Sequence, residues 1–336
     1  MDILNALVAF LNFVFIPGLV YGSQIAIGAL GVTLVYGILR FSNFAHGDTM
    51  AFGTMVTILL TWVFQSAGIG LGPLPTALLA LPFGIAATAG FLLLTDRMVY
   101  RFYRRKKATS TVVVIVSLGV MFVMNGVVRL IIGVDEQNFS DGARFLLNPQ
   151  EFKAATGLAE PLAIKTTAVV TVVTAAVVVW ALFRFLQKTR TGKSMRAFSD
   201  NEDLALLSGI NPDRVVAVTW IIVAALATIA GVLYGLDKSF KPFTYFQLLL
   251  PIFAAAIVGG LGNPLGAIAG AFVVAFSEAL VTNAWKKIVT YLLPADMAPD
   301  GLLQLIATDY KFAVSFTILI IVLLFMPTGL FKGKSL

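Results

Sequence analysis

The sequence predicts an all-α, polytopic integral membrane protein. Hydrophobic residues make up 59% of the 336-residue chain and charged residues only 12%, whereas about a quarter of the residues of a soluble domain are charged. The mean hydropathy is +0.92. Long apolar runs recur along the whole chain, and about 20 apolar residues are enough for a helix to cross a bilayer. These features indicate about eight to ten transmembrane helices.

Eight of the predicted spans are long apolar runs bounded by polar residues. Two further apolar pieces are ambiguous. Residues 3–16 are shorter than the roughly 20 that a crossing helix needs, so they predict either an interfacial helix or a short span broken by Pro17. A short, glycine-rich piece at 248–261, within 248–266, predicts either a crossing helix or a broken, re-entrant segment. The eight clear spans are 18–39, 45–65, 74–95, 111–132, 165–186, 214–236, 265–283 and 312–327.

The lysine and arginine residues of the loops predict the orientation of the chain, because these residues are enriched on the cytoplasmic side. Residues 97–107 and 184–214 each carry six of them. We therefore expect the loop 187–213 and the C-terminus to be cytoplasmic, and the loops 133–164 and 284–311 to be periplasmic. The basic residues lie beside apolar spans, a pattern that disfavours nucleic-acid binding. No soluble domain or repeat is evident, so residues 1–336 are predicted to form a single transmembrane domain.

The residue inventory excludes several kinds of chemistry. The chain has no cysteine, which rules out disulfides and thiolate metal sites, and its single histidine is a poor ligand set for a metal. Two Gly-Lys-Ser triplets, at 192–194 and 333–335, lack the earlier glycine and the preceding strand of a phosphate loop. We therefore expect no catalytic residue, metal, cofactor or nucleotide site in this chain.

A polar segment between two spans predicts a short helix over residues 199–209. Ser199 followed by Glu202 fits a capping box, and the acidic side chains of Glu202 and Asp203 suit the positive end of the helix dipole. Gly209 fits a left-handed C-terminal cap. A capped amphipathic helix between two spans is a candidate docking surface for a soluble partner.

Three polar residues in or beside the spans are candidates for lining a path through the membrane. An ionisable residue costs about 2.5–3.5 kcal/mol in a span, so Glu278 should face the bundle interior or water. A structural pair within the bundle is the alternative. Asn43 and His46 would share one face of a helix and line a gap between the first two spans. The alternative there is a cytoplasmic turn that caps the next helix, with His46 in a packing role.

Four segments spread over nearly the whole chain carry motifs of a known transporter family. They are Val-Tyr-Gly-Ile through Asn-Phe-Ala-His-Gly at 35–47, the loop 196–215, Gly-Gly-Leu-Gly-Asn-Pro-Leu-Gly-Ala at 259–267, and Pro-Thr-Gly-Leu at 327–330. Together they resemble the permease subunits of branched-chain amino-acid ABC importers, the LivH type. Asp48 stands where this family often has Glu, a small departure.

The resemblance implies a permease without enzymatic activity of its own, in the bacterial inner membrane and surrounded by lipid. It implies a LivM-like permease subunit, two ATPase subunits that hold ATP and Mg, and a periplasmic binding protein that delivers a small-molecule substrate. Branched-chain amino acids are the expected substrates. The alternatives are urea, an amide or an aromatic acid carried by the same kind of permease, or a stand-alone secondary transporter or channel.

The resemblance also implies that the cytoplasmic loop between spans is a coupling helix. Leu204, Leu207 and Ile210, spaced three residues apart, would then form an apolar stripe for a groove on the ATPase. Glu202 and Asp203 would meet basic residues there. The alternative is a helix lying on the lipid surface, which an acidic first turn disfavours beside anionic lipid. In the same interpretation Asn43, His46 and Glu278 lie near the substrate path.

Overall fold

The structure, a computed structural model, describes residues 2–293, 301, 303–326 and 328–331. Nine helices of these described residues are long and apolar enough to cross a membrane. The strands described are β1 (Phe145–Leu147) and β2 (Ile164–Lys165), which pair antiparallel. The chain is therefore an all-α polytopic membrane protein, which confirms the predicted fold class.

The helices follow the predicted spans closely along the chain. A π-helical turn at Leu11–Phe15 joins the first two helices, another at Asp96–Tyr100 joins the fourth and fifth, and a 3-10 turn at Thr308–Tyr310 precedes the last. The helices are α1 (Asp2–Phe10), α2 (Ile16–Leu39), α3 (His46–Ser66), α4 (Ala77–Thr95), α5 (Arg101–Arg105), α6 (Ser110–Ile132), α7 (Pro149–Thr156), α8 (Thr166–Lys188), α9 (Arg190–Asp200), α10 (Glu202–Leu207), α11 (Pro212–Lys238), α12 (Pro242–Gly259), α13 (Pro264–Thr282), α14 (Lys286–Leu292) and α15 (Lys311–Phe325).

Some predictions fall on residues outside the described ranges. Lys332 and Lys334, which contribute to the expected cytoplasmic C-terminus, are among them. The triplet at 333–335, Pro327 of the closing motif, and residues 294–300 and 302 of the expected loop 284–311 are the others.

Residues 3–16 continue the first span rather than forming a separate short one. Ile3–Leu39 is one helical run of 37 residues, about 55 Å long and therefore longer than the roughly 30 Å hydrocarbon core. The π-helical turn Leu11–Phe15 ends two residues before Pro17, whose ring cannot donate a backbone hydrogen bond, and it accommodates that ring within the helical run. Ala6 and Ala9 of the projecting part pack against Ile288 of α14.

Most of the glycine-rich piece at 248–261 lies in the continuous helix α12, which is long and apolar enough to cross a membrane, and residues 260–261 form the turn after it. This favours the predicted crossing helix over a broken segment. Helix α12 has 18 residues, about 27 Å, which makes it a short span. A glycine of the facing helix allows α13 to pack closely against α12: a Cβ atom added to Gly270 of α13 would lie 2.2 Å from the carbonyl oxygen of Ala255. Gly260, with a φ of 104°, makes the turn between the two helices.

The two central helices of the bundle are α2 and α11. Helix α2 packs against α8, α11, α12 and α13, and α11 also packs against α3 and α4. The aromatic side chains of Trp220 on α11 and Tyr245 on α12 are fully buried. Helices α6, α8 and α15 lie at the periphery, where most of their residues are not fully buried and are available to lipid.

The loops gather at two ends of the bundle. The basic end, as we call it, carries residues 40–45, 101–109 and 189–211, and there Arg101 pairs with Asp213 at 2.6 Å. The two basic segments that the sequence predicted on one side therefore lie together. The loop end carries residues 133–165, 239–241 and 283–293. The segments 133–165 and 283–293 of this end are joined by the ion pair between Glu160 and Lys287 at 2.8 Å.

Candidate functional site

Helix α9 is fixed to the end of α2 at the basic end. The Ser199 hydroxyl donates a hydrogen bond of 2.7 Å to the carbonyl oxygen of Gly37. The Arg40 guanidinium donates to the carbonyl oxygen of Ser199. Met195 and Phe198 of the same helix are buried against the bundle. These contacts tie α9 to the end of α2, one of the two central helices.

Helix α10 starts two residues later than a cap at Ser199 would require, so the predicted capping box is wrong. The N-cap of α10 is Asn201, whose side-chain oxygen accepts from the Leu204 N–H at 3.0 Å. Ser199 lies instead near the end of α9, where its hydroxyl bonds the neighbouring helix. Asn201 also has extended backbone angles, which break the predicted helix 199–209 into two parts. Asparagine is as good an N-cap as serine, so the sequence offered both.

The predicted C-terminal cap is present at Gly209. Its φ is 79°, in the left-handed region, and its N–H donates to the carbonyl oxygen of Leu206 at 3.0 Å. The N–H of Ile210 donates to the carbonyl oxygen of Ala205 at 3.0 Å. This pair of bonds is a Schellman motif, which satisfies the last carbonyl groups of a helix.

The face of α10 that points away from the bundle is apolar and acidic. Leu204 is 60% exposed and Leu207 is 84% exposed, whereas Ala205 is buried underneath them. Glu202 and Asp203 are exposed in the first turn, and Ile210 is half-buried. We call the exposed side chains of Glu202, Asp203, Leu204 and Leu207 the α10 surface.

The Gly-Lys-Ser triplet at 192–194 lies in the first turns of α9 and follows a helix rather than a strand. Its glycine has a packing role. A Cβ atom on Gly192 would lie 2.3 Å from the carbonyl oxygen of Phe185. Helix α9 therefore turns back closely against the end of α8.

Asn43 and His46 are buried among packed helices near the basic end. Asn43 is not on a helix, contrary to the expected shared face; its side-chain oxygen accepts from the Ala45 N–H at 3.1 Å in the turn before α3. His46 is 0% exposed. Its ring lies so close to Gly31 that a Cβ atom there would be 2.5 Å from the ring. This arrangement favours a packing role for His46.

Glu278 lies at the other end of the molecule, on the wall of a cavity of about 480 Å³ that opens at the loop end. Its side chain projects from α13, and the residue is 3% exposed. The Ser315 hydroxyl of α15 donates a hydrogen bond to one of its carboxylate oxygens. The three predicted path residues are therefore not together: Asn43 and His46 lie toward the basic end and Glu278 lies in this loop-end cavity.

Several charged residues of the loop-end cavity were missed by sequence reasoning. Asp237 and Lys165 line it and form an ion pair at 3.6 Å. Lys311 lines it from the start of α15. All three stand at the ends of predicted spans, where a charge is the ordinary sign of a membrane boundary. Only the fold brings them to one cavity.

The carboxylate of Asp141 at the loop end is held by two hydrogen bonds. The Thr76 N–H donates to Asp141 at 2.7 Å and the Gln65 side chain donates to it at 2.9 Å. Partial burial raises the pKa of Asp141, but these hydrogen bonds to the charged form outweigh burial, and the pKa lies below its ordinary value. Asp141 thereby joins the loop 133–144 to the segment before α4.

The chain matches the family model described as "Branched-chain amino acid transport system / permease component" over residues 14–323. It is 32% identical to the "High-affinity branched-chain amino acid transport system permease protein LivH" of Escherichia coli K12, over 93% of this chain and 92% of that protein. It is 29% identical to the protein BraD of Pseudomonas aeruginosa, which carries the same description, over 94% of each chain.

A similar protein also occurs in an archaeon. The chain is 27% identical to the "Probable branched-chain amino acid transport permease protein LivH" of Methanocaldococcus jannaschii, over 93% of this chain and 90% of that protein. Among solved structures, "PsaBC from Streptococcus pneumoniae in complex with Fab" aligns with 94% of this chain and 92% of that chain, at 13% identity and a TM-score of 0.45. That likeness is too low to support any conclusion.

Proposed function

The chain belongs to the family of branched-chain amino acid transport system permease components, and on this premise we propose that it is the membrane-spanning subunit of a binding-protein-dependent ABC importer for branched-chain amino acids. The observation that carries the proposal is the match over nearly the whole length of both chains. In this proposal residues 1–336 form one permease domain of the bacterial inner membrane, and the basic end and the C-terminus lie in the cytoplasm.

The remaining subunits supply what a permease lacks. A LivM-like permease would complete the membrane part, two ATPase subunits would bind and hydrolyse ATP with Mg, and a periplasmic binding protein would deliver the amino acid at the loop end. This division of labour agrees with a basic end rich in Lys and Arg, the feature expected of a cytoplasmic side.

The α10 surface is the proposed contact with an ATPase subunit. Leu204 and Leu207 are large apolar side chains that protrude at the end of the bundle, where a helix can insert into a groove of a soluble partner. Glu202 and Asp203 beside them would face basic residues of that partner. Burial of two leucine side chains is worth roughly 3–6 kcal/mol, enough to make them the main anchors of a small interface.

The hydrogen bonds of α9 supply the route for transport coupling. Movement of the ATPases would displace the α10 surface, and α9 would carry that displacement to α2 through the contacts of Ser199 and Arg40 with the end of that helix. A tilt of α2 against its neighbours would then open the path alternately to the two sides.

Two matched double variants test this function in vesicles that contain all subunits. Leu204→Asp with Leu207→Asp places two charges in the proposed contact, and we expect loss of uptake, loss of substrate-stimulated ATP hydrolysis and loss of ATPase co-purification. Leu204→Met with Leu207→Met keeps the contact apolar and should retain all three. Full uptake in the aspartate variant would show that the ATPase docks elsewhere.

Asn43, His46 and Glu278 remain the proposed residues of the substrate path. Neutral replacement of each, with uptake measured at a fixed concentration of binding protein, tests them one at a time. Wild-type uptake in a variant removes that residue from the path. The packing of His46 against Gly31 makes its variant the one that needs a separate measurement of folding.

A further inference from the structure

The loop-end cavity contains a carboxylate oxygen without a partner. Glu278 is 3% exposed, and Ser315 satisfies one of its two oxygens. The other, Oε2, has no partner at hydrogen-bond geometry among the residues that the structure describes, and the Tyr21 hydroxyl is the neighbouring donor that interacts with the same carboxylate. A buried carboxylate oxygen is costly unless a donor or a cation satisfies it, so this atom is suited to a positively charged ligand group.

The same cavity contains an ammonium group without an ion pair. Lys311 Nζ lies 5.3 Å from the ring centre of Tyr21 and 4.9 Å from that of Phe312. Within the described ranges, no carboxylate oxygen lies within 4.0 Å of it. Lys311 and Glu278 line the same cavity and form no ion pair with each other.

The other charged residues of the cavity wall are already paired. Asp237 pairs with Lys165 at 3.6 Å and with Lys238 at 3.5 Å, and Glu160 pairs with Lys287 at 2.8 Å. Glu278 and Lys311 therefore differ from their neighbours: one negative and one positive group face the same space and each lacks a direct ionic partner.

The rest of the wall is suited to an aliphatic side chain. Phe13, Ile16, Val20 and Ala275 contribute apolar surface from α13 and from the first helical run. The volume of about 480 Å³ is ample for a single amino acid. An apolar wall with a few charged groups is the usual arrangement of a small-molecule site.

We propose that the loop-end cavity binds the transported amino acid as a zwitterion, with its ammonium group at Glu278 and its carboxylate at Lys311. The aliphatic side chain would lie on the apolar wall. This proposal rests on the proposed function and names a substrate subsite within this subunit. The headgroup of phosphatidylethanolamine carries the same two charges, so the experiment must separate an amino acid from this lipid.

The absence of cysteine allows a direct occupancy measurement. Ala279→Cys places a thiol on the cavity wall, and Ala154→Cys places one on the exposed surface of α7 at the same end. The complete transporter is reconstituted in vesicles of phosphatidylcholine and phosphatidylglycerol, and the rate of thiol modification by a charged methanethiosulfonate reagent is measured. We expect millimolar leucine to slow modification at position 279 at least about threefold and to leave position 154 unchanged.

Analogues and charge variants test the two contacts. 3-Methylbutylamine lacks the carboxylate and 4-methylpentanoate lacks the ammonium group, so each should protect position 279 much less than leucine. Glu278→Gln or Lys311→Met should raise the leucine concentration for half-protection by about tenfold or more, since each removes a charge-assisted contact with the ligand. The matched controls Asp309→Asn and Lys153→Met remove exposed charges at the same end. They should leave the leucine concentration for half-protection unchanged.

Each outcome decides between the site and the transport function. Leucine uptake without protection of position 279 overturns the cavity site and leaves the proposed function intact. Protection without uptake in the complete transporter overturns the function and supports the site. Slower modification when phosphatidylethanolamine is added, with no effect of leucine, assigns the cavity to a lipid headgroup and overturns the proposal.

Discussion

The attachment of α9 at the basic end and the link across the loop end rely on different forces. At the basic end α9 is fixed by the bond from Ser199 to the Gly37 carbonyl and by buried apolar side chains, and Gly192 brings α9 against α8 with backbone atoms almost in contact. At the loop end the main links are charged. Glu160 accepts from Lys287 at 2.8 Å and from the Tyr291 hydroxyl at 2.8 Å.

This difference suits the proposed roles of the two ends. Close packing responds little to salt or pH, so a surface that must transmit movement is best built mainly from it. Charged links respond to both, and they can exchange partners with a charged ligand. The comparison therefore predicts that packing variants damage the fold most and that loop-end variants have smaller effects that depend on solution conditions.

The largest effect is expected from Gly270→Ala, which breaks the packing of α12 against α13. The added Cβ atom would lie 2.2 Å from the carbonyl oxygen of Ala255 and 2.8 Å from the Gly259 nitrogen. Backbone atoms cannot move aside as a flexible side chain can, so the helices must separate at a cost of about 3 kcal/mol. In detergent, the midpoint of thermal unfolding should fall by about 4 °C, since the entropy of unfolding of a chain of this length is about 0.7 kcal/mol/K.

Gly90→Ala on α4 is the matched control for this prediction. Nothing lies within 4 Å of a Cβ atom at that position, so alanine should be neutral or slightly stabilising because of its better helix propensity. An equal loss of stability in the two variants would mean that close approach of α12 and α13 is not what Gly270 provides.

The helices were predictable because lipid leaves the backbone few alternatives. Within a bilayer every backbone donor and acceptor must be satisfied internally, so each long apolar run becomes a helix. The sequence did not decide whether residues 3–16 and 248–261 cross the membrane. The length of an apolar run does not show that a helix continues through Pro17, or that another helix already starts at Pro242. The cap at Ser199 was misplaced because Asn201 offers the same chemistry two residues later.

The candidate sites were predictable to different degrees. The α10 surface lies within one short stretch, so its residues could be recognised from their spacing. The loop-end cavity joins Tyr21, Glu278 and Lys311 from three helices far apart in the chain. Only Glu278 carried a sequence signal, as an acid within a span. In the sequence, Tyr21 looks like an ordinary span residue and Lys311 like an ordinary charge at a span boundary. Only the fold brings them to one cavity.

A smaller effect is expected when the charged link of the loop end is removed by Glu160→Gln. Glutamine keeps an acceptor for the Tyr291 hydroxyl but loses the ion pair with Lys287. Because the Lys287 side chain is half-exposed, the pair is worth about 1 kcal/mol at most. The unfolding midpoint should fall by about 1–2 °C at low salt and by less in about 1 M salt, where the Debye length is about 3 Å.

Glu151→Gln on α7 is the control, since Glu151 is exposed and has no ion pair among the described residues. It should leave the unfolding midpoint unchanged at both salt concentrations. A loss for Glu160→Gln that is equal at low and high salt would show that the link works through packing, and the contrast between the two ends would then be wrong.

The smallest effect is expected from Asp141→Asn and should depend on pH. Hydrogen bonds from Thr76 and Gln65 hold the pKa of Asp141 below its ordinary value. A folded-state pKa below the unfolded value of about 3.9 adds stability that is complete above that pH and is lost as the pH falls through the folded-state value. At pH 6 the unfolding midpoint of wild type should therefore be slightly higher than that of Asp141→Asn. The difference between the two midpoints should shrink below about pH 4. A difference that stays constant from pH 6 to pH 3 would mean that the charge of Asp141 does not hold the loop 133–144 in place.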